Sequence, residues 1–227
     1  MKKICFINGS PKTGESCSLY MIDYISNKLG NAYEEKMVIN ALQLFKNSNQ
    51  ENILKEILSC EAIVVVFPLY IDSLPSSLLE VLEALDICKK SLPTDVHNIP
   101  CLYGLVNCGF IEGHQNINAL KILENYAKAV SFKWCGGIGL GGGEMIRSTK
   151  NQIPLQSKPA LPIYHALRSL ADGIKELKVI NSDKAIVFAN HRFPKWFFIF
   201  MANRTWVTWA KRNGIKKNRM FAKPYLD

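Results

Sequence analysis

Residues 62–67 read Ala-Ile-Val-Val-Val-Phe. Ile63, Val64, Val65 and Val66 are β-branched, a side-chain shape that packs well on a pleated surface and crowds the preceding turn of a helix. The run does not alternate with polar residues, so both faces of the strand are covered. That is the signature of a central strand in a parallel sheet. On its N-terminal side, Lys3–Asn8 (KICFIN) is another short apolar strand, and Ser18–Leu29 places Leu19, Ile22, Ile25 and Leu29 at helical spacing. Tyr33–Ile39 reads as a strand and Gln50–Cys60 as a helix. On the C-terminal side, a helix over Ser76–Leu85 starts just after Pro75. A strand over Pro100–Val106 follows, then a helix over Asn116–Val130 with Leu120, Leu123, Ala127 and Val130 on one face. Phe132–Leu140 is a glycine-interrupted strand and Leu161–Leu177 a long helix. Strand and helix alternate at roughly thirty residues per unit, which calls for right-handed crossovers and a parallel sheet. This reading assigns five strands to residues 1–180 and leaves 181–227 as a C-terminal extension.

The composition agrees with one such domain and an appendage. The chain has 227 residues, 48% hydrophobic and 21% charged, which excludes a disordered or fibrous protein. Its formal charge is +9, but nine basic residues and a single acid lie beyond Asn190, so that tail carries +8 of it. A body close to neutral offers no basic surface for nucleic acid. No apolar run approaches the ~20 residues of a membrane span. Nor does the N-terminus have the core of a signal peptide. The seven cysteines are scattered without a CxxC pair, as expected of reduced thiols in a cytoplasmic protein.

The loops after the first, third and fourth strands emerge on one edge of the sheet, where open α/β proteins bind ligands. The first is Gly9-Ser10-Pro11-Lys12-Thr13-Gly14-Glu15-Ser16-Cys17-Ser18. It offers hydroxyls and the amides of a helix N-terminus, which attract an anion. It nearly matches the nucleoside-triphosphate loop, but Glu15 stands where that motif needs lysine, and the dinucleotide pattern G-x-G-x-x-G is absent. What remains is a cradle for a single terminal phosphate, or an ordinary Gly/Pro/Ser turn. The second loop, Pro68-Leu69-Tyr70-Ile71-Asp72-Ser73-Leu74-Pro75, adds an aromatic ring and an apolar wall. The third, Asn107-Cys108-Gly109-Phe110-Ile111-Glu112-Gly113-His114, adds backbone that can approach a planar ligand.

Four motifs in order, GSPKTGES, PLYIDSLPSSL, NCGFIEGHQN and WCGGIGLGGGE, resemble the flavodoxin-like NAD(P)H-dependent oxidoreductases that bind FMN; the similarity runs from Lys2 to about Glu144. The resemblance implies a three-layer sandwich with strand order 2-1-3-4-5. It implies FMN held by Ser10, Lys12, Ser16, Cys17 and Ser18 at the phosphate, and by Pro68, Leu69, Tyr70 and Ile71 on one side of the ring. Asn107, Cys108, Gly109, Phe110 and Glu112 would take the other side, the amides of Gly109 and Phe110 meeting the pyrimidine edge. NADH or NADPH would be the donor, and a quinone, nitro or azo compound the acceptor. No protein acid or base is required, because the flavin carries the chemistry. Two residues depart from the family pattern: Glu15 replaces the usual asparagine, and Cys17 a hydroxyl residue.

Two other functions fit the same scaffold: a flavodoxin-like electron carrier, and a non-catalytic interaction protein. Among the remaining candidates, His114 reads as a loop-surface residue, and His97, His165 and His191 lack metal-ligand spacing. Cys17 reads as a small filler of the phosphate loop, while Cys108 should line the ring. In the extension, Pro194 and Gly214 bracket a helix rich in aromatic residues. Its expected place is against the domain or the same surface of a second copy, which would make the protein a homo-oligomer, a dimer at its simplest. The rival is peripheral contact with an anionic membrane.

Overall fold

The computed structural model describes residues 2–93, 99–181, 185–223 and 225; His97 lies outside them. They divide into two compact units, residues 1–191 and 192–227.

The larger unit is a parallel sheet of β1 (Lys3–Asn8), β2 (Glu35–Asn40), β3 (Ala62–Pro68), β4 (Cys101–Asn107), β5 (Lys133–Leu140) and β6 (Ile186–Ala189). Its order is β2-β1-β3-β4-β5-β6. β1 pairs with β2 on one side and β3 on the other, Cys5 facing Met37 and Ile63. The chain thus reverses its direction of winding between β1 and β3, which opens a crevice at their carboxyl ends. Ala62 through Phe67 are completely buried, as a strand covered on both faces must be.

Two apolar layers sandwich the sheet, and strand periodicity sorts residues between them. Ile4, Phe6, Val64, Val66 and Tyr103 point into one core with α1 (Cys17–Leu29) and, later in the chain, the helix Leu161–Glu176. Cys5, Ile7, Ile63, Val65 and Phe67 point into the other. The helices there are α2 (Ala41–Leu44), α3 (Gln50–Leu58), α4 (Ser76–Ser91) and α5 (Ile117–Ala129). α6 (Gly143–Ser148) follows β5, and the helix over Leu161–Glu176 is α7. In α1 the buried Ile22, Ile25 and Leu29 lie three or four residues apart, with Met21 four residues before Ile25, so one stripe faces the sheet. Each fully buried valine or isoleucine contributes about 1.5–3 kcal/mol relative to exposure.

The sheet has six strands where the sequence reading has five. The sixth, β6, falls in the segment read as extension, and it is only four residues long and mostly half-buried. β5 makes room for it. The register shifts between Leu102 and Tyr103, leaving Cys135 as the extra residue of a bulge. Gly136 follows with φ 112°, and a side chain there would stand 2.5 Å from the Ala185 carbonyl. The Gly137 amide then donates to that carbonyl at 2.8 Å and starts the new ladder.

The smaller unit consists of α8 (Lys195–Arg212) and a short 3-10 turn, Lys217–Phe221. Pro194 precedes α8, and Lys211 and Arg212 occupy its last turn.

Candidate functional site

A cavity sits at the carboxyl ends of β1, β3 and β4, lined by three loops and by Glu144 from α6. Ser10, Lys12, Ser16, Cys17 and Ser18 line it from the first loop, Pro68, Leu69 and Tyr70 from the second, and Asn107, Cys108 and Gly109 from the third. Ile71, Phe110 and Glu112 do not line it. Ile71 is fully exposed and Phe110 is 58% exposed.

The first loop is held by its own polar atoms. The Asn8 carboxamide oxygen accepts from the Ser10 amide at 3.0 Å, and the Ser10 hydroxyl oxygen accepts from the Lys12 amide at 3.3 Å. Ser16 is the N-cap of α1, its hydroxyl oxygen accepting from the Leu19 amide at 3.1 Å. Ser10, Ser16 and Ser18 are buried polar residues facing the cavity. Each hydroxyl that accepts from the backbone keeps its own hydrogen to donate. These donors, with the first amides of α1, can hydrogen-bond an anion.

Asn107 ties the loops together. Its amide nitrogen donates to the Ser18 hydroxyl at 3.2 Å and to the Phe67 carbonyl at 3.1 Å. The third loop is clamped against the end of β5: the Gly142 amide donates to the Phe110 carbonyl at 2.6 Å, and that of Gly143 to the Cys108 carbonyl at 2.8 Å. A Cβ at Gly141 would lie 2.0 Å from the Ile111 carbonyl oxygen, so only glycine permits this approach. Gly109, by contrast, has open space where a Cβ would stand, and it is exposed. A flat ligand can come down onto its backbone.

Neither cysteine in the wall is a thiolate. Burial, reinforced by Glu144, pushes Cys17 up to about 12. Burial likewise raises Cys108, whose sulfur lies 3.6 Å from the carbonyls of Phe110, Glu112 and Leu140 and accepts from the Asn116 amide at 3.5 Å. Both act as packing, not as nucleophiles.

Glu15 does not face the cradle unopposed. Arg147 on α6 reaches its carboxylate at 2.9 Å and that of Glu144 at 2.5 Å, and Lys12 lies 3.8 Å from Glu144. The Glu144 hydrogen bond raises Arg147 above its ordinary value. Two acids and two bases thus balance beside the cavity. Sequence reasoning missed Glu144 and Arg147 because α6 has only six residues. Their one visible signal is the i,i+3 spacing of opposite charges after the glycine run.

Beyond the cavity, the second loop forms a tight turn in which Tyr70 and Ser73 exchange backbone hydrogen bonds at 3.1 and 2.9 Å. Tyr70 is 46% exposed, presenting ring surface at the cavity mouth. His114 stacks edge-on against Phe188 at 6.0 Å and is exposed.

No protein-family model matches the chain, and no curated protein matches it. Solved structures do. An oxidoreductase from Corynebacterium diphtheriae superposes with a TM-score of 0.59 at 14% identity, covering 80% of this chain and 99% of the other. An NADH:FMN oxidoreductase in its apo form gives 0.58 at 12% identity, with 82% and 94% covered. An FMN-dependent NADH-azoreductase from Bacillus anthracis, in complex with FMN, gives 0.53 at 14% identity, with 77% and 100% covered. The class is therefore an α/β protein of flavodoxin-like fold. At these identities the likeness is one of fold, and the sixth strand extends the implied order 2-1-3-4-5 without changing it.

Proposed function

We propose that the chain is an FMN-dependent oxidoreductase that takes electrons from NADH or NADPH and delivers them to a small acceptor, a quinone, nitro or azo compound. One observation carries this reading: hydroxyl donors, an aromatic wall and open glycine backbone converge from three loops on one cavity. The donor set fits a phosphate monoester beside a planar ring. FMN, when bound, supplies the hydride and electron chemistry.

The chain's own residues bind and orient. Ser10, Ser16 and Ser18 would hold the phosphate with the N-terminal amides of α1. Leu69 and Tyr70 would pack against the ring. The Gly109 and Phe110 amides would meet its pyrimidine edge and stabilise negative charge there, as fixed donors do when charge develops. Phe110 needs only its backbone for this, so its exposed side chain is no obstacle. Pairing of Glu15 with Arg147 keeps that acid from repelling the phosphate.

The purified protein is expected to be yellow, to release FMN and not FAD on denaturation, and to oxidise NADH or NADPH with a quinone or azo dye present. Mass spectrometry of the released cofactor and the loss of absorbance at the nicotinamide band read these outcomes. A colourless protein that takes up no FMN would overturn the reading in favour of an interaction protein. Bound FMN without turnover of either nicotinamide would overturn it in favour of an electron carrier.

A further inference from the structure

We propose that residues 192–227 dock the protein on an anionic lipid surface, with α8 lying in the plane of the interface. The inference rests on how α8 sorts its side chains. At 3.6 residues per turn, Phe198, Ile199, Ala202, Trp206, Trp209 and Ala210 fall on one arc of about 120°, which Lys195 shares at the first residue of the helix. Trp206, Trp209 and Ile199 on that arc are 59%, 48% and 49% exposed. The two indoles stand edge to face with centroids 5.6 Å apart. Arg204, Thr205, Thr208, Lys211 and Arg212 fall on the opposite arc, interrupted by Phe197 and Met201.

The short turn Lys217–Phe221 folds back beside a third stretch of the helix, where Phe200, Val207, Met220 and Phe221 line a groove. This turn adds Lys217 and Arg219 to the basic side of the balance. Nine basic residues against one acid, beyond Asn190, make this segment complementary to a negative surface. Within the described residues no helix is long and apolar enough to cross a membrane. An 18-residue helix with Trp206 and Trp209 on one arc, Arg204, Lys211 and Arg212 on the opposite one, and Trp196 and Phe200 on the flank between them has the pattern of one that lies on a membrane instead. Tryptophan settles at the headgroup level, where its ring is half wet. A single-stranded nucleic acid would call for a row of stacking rings beside the basic side chains; of the two paired indoles only Trp206 lines the groove with Arg204 and Lys217, while Trp209 lies outside it and Lys211 and Arg212 fall on the opposite arc. A protein surface, whether the body or a second copy, could cover the aromatic arc but gives no account of the charge excess.

The test uses the full chain, sedimented with vesicles of phosphatidylcholine alone and with vesicles containing phosphatidylglycerol. The protein is expected to pellet only with the anionic vesicles, to be released by salt, and to show a blue shift of tryptophan emission when bound. Each basic residue near an anionic surface contributes about a fivefold gain in binding. K211Q/R212Q should therefore weaken binding more than tenfold, and W206A/W209A should abolish it. Unchanged circular dichroism and an unchanged melting temperature would show that both variants keep the folded body. A protein that stays in the supernatant with both vesicles overturns the proposal. So does equal binding to zwitterionic vesicles. A dimer in sedimentation equilibrium that W206A/W209A dissociates, with no vesicle binding, assigns the arc to a second copy. Binding of a single-stranded oligonucleotide in place of vesicles assigns it to nucleic acid.

Discussion

Ile71 occupies a backbone conformation that β-branched residues avoid, with φ 47°, and Asp72 beside it has φ 58°. An L-residue in this region costs about 1–2 kcal/mol. Ile71 recovers nothing by burial, since it is fully exposed. The tight turn from Tyr70 to Ser73 imposes the conformation and sets the exit of the chain from β3 at the cavity mouth. Ile71→Asn is expected to stabilise the protein by up to about 1 kcal/mol, because asparagine tolerates this region and loses no contact. Ile71→Val should bring no such gain. Urea denaturation of the two variants checks both; a loss of stability in the asparagine variant would contradict the strain. The glycine or asparagine that usually marks such backbones is missing from Tyr70-Ile71-Asp72-Ser73, and of its residues only Asp72 and Ser73 hint at a turn. For the same reason Ile71 reads in the sequence as part of the ring wall, whereas its side chain points into solvent. Leu69 and Tyr70 are legible because they directly follow the strand that fixes them.

At the scale of elements, the N-terminus of α1 has two tasks with one set of atoms. Ser16 caps the helix and lines the cavity. Removing a serine cap costs about 1 kcal/mol of stability. Hydrogen bonds to a charged group are worth about 1.5–3 kcal/mol each. The double variant Ser10→Ala/Ser16→Ala is therefore expected to bind FMN at least tenfold more weakly and to melt at a lower temperature even without FMN. Ser10→Ala alone should weaken binding with a smaller effect on the apo protein, since Ser10 caps no helix. Fluorescence titration and thermal melts read the two effects separately; unchanged affinity in the double variant would sink the phosphate assignment. This loop is legible because its hydroxyls and glycines stand directly between an apolar strand and an amphipathic helix. β6 and α6 are not. The first is too short to show alternation, and its place depends on a bulge in β5 that only the paired strands reveal. The second is a single turn and a half whose charges matter only because Glu15, far away in sequence, comes to meet them.

At the scale of the whole molecule, the segregation of charge leaves residues 1–191 nearly neutral and gives the terminal unit almost all the excess. The larger unit thus starts near charge balance at neutral pH, and its buried titratable groups add their own response to acid. His191 is the clearest of them. It is buried near Gly142, where a Cβ would lie 3.7 Å from its Nδ1, and burial lowers it from 6.5 to about 4. The unfolded chain takes up a proton near pH 6.5, while the folded protein resists until about pH 4. Protons therefore favour unfolding across that window. The stability linked to His191 is fully present above pH 6.5 and is lost as the pH falls toward 4. A shift of this size corresponds to about 3 kcal/mol, taken as an order of magnitude. His191→Gln, neutral at every pH, is expected to cost some packing at pH 7 but to lose less stability on acidification. The gap between the two proteins should close or reverse by pH 4.5. Urea denaturation from pH 7 to 4.5 measures it. Parallel stability curves for the two proteins across that range would show that His191 is protonated freely in the folded state, and that burial does not govern its response to acid.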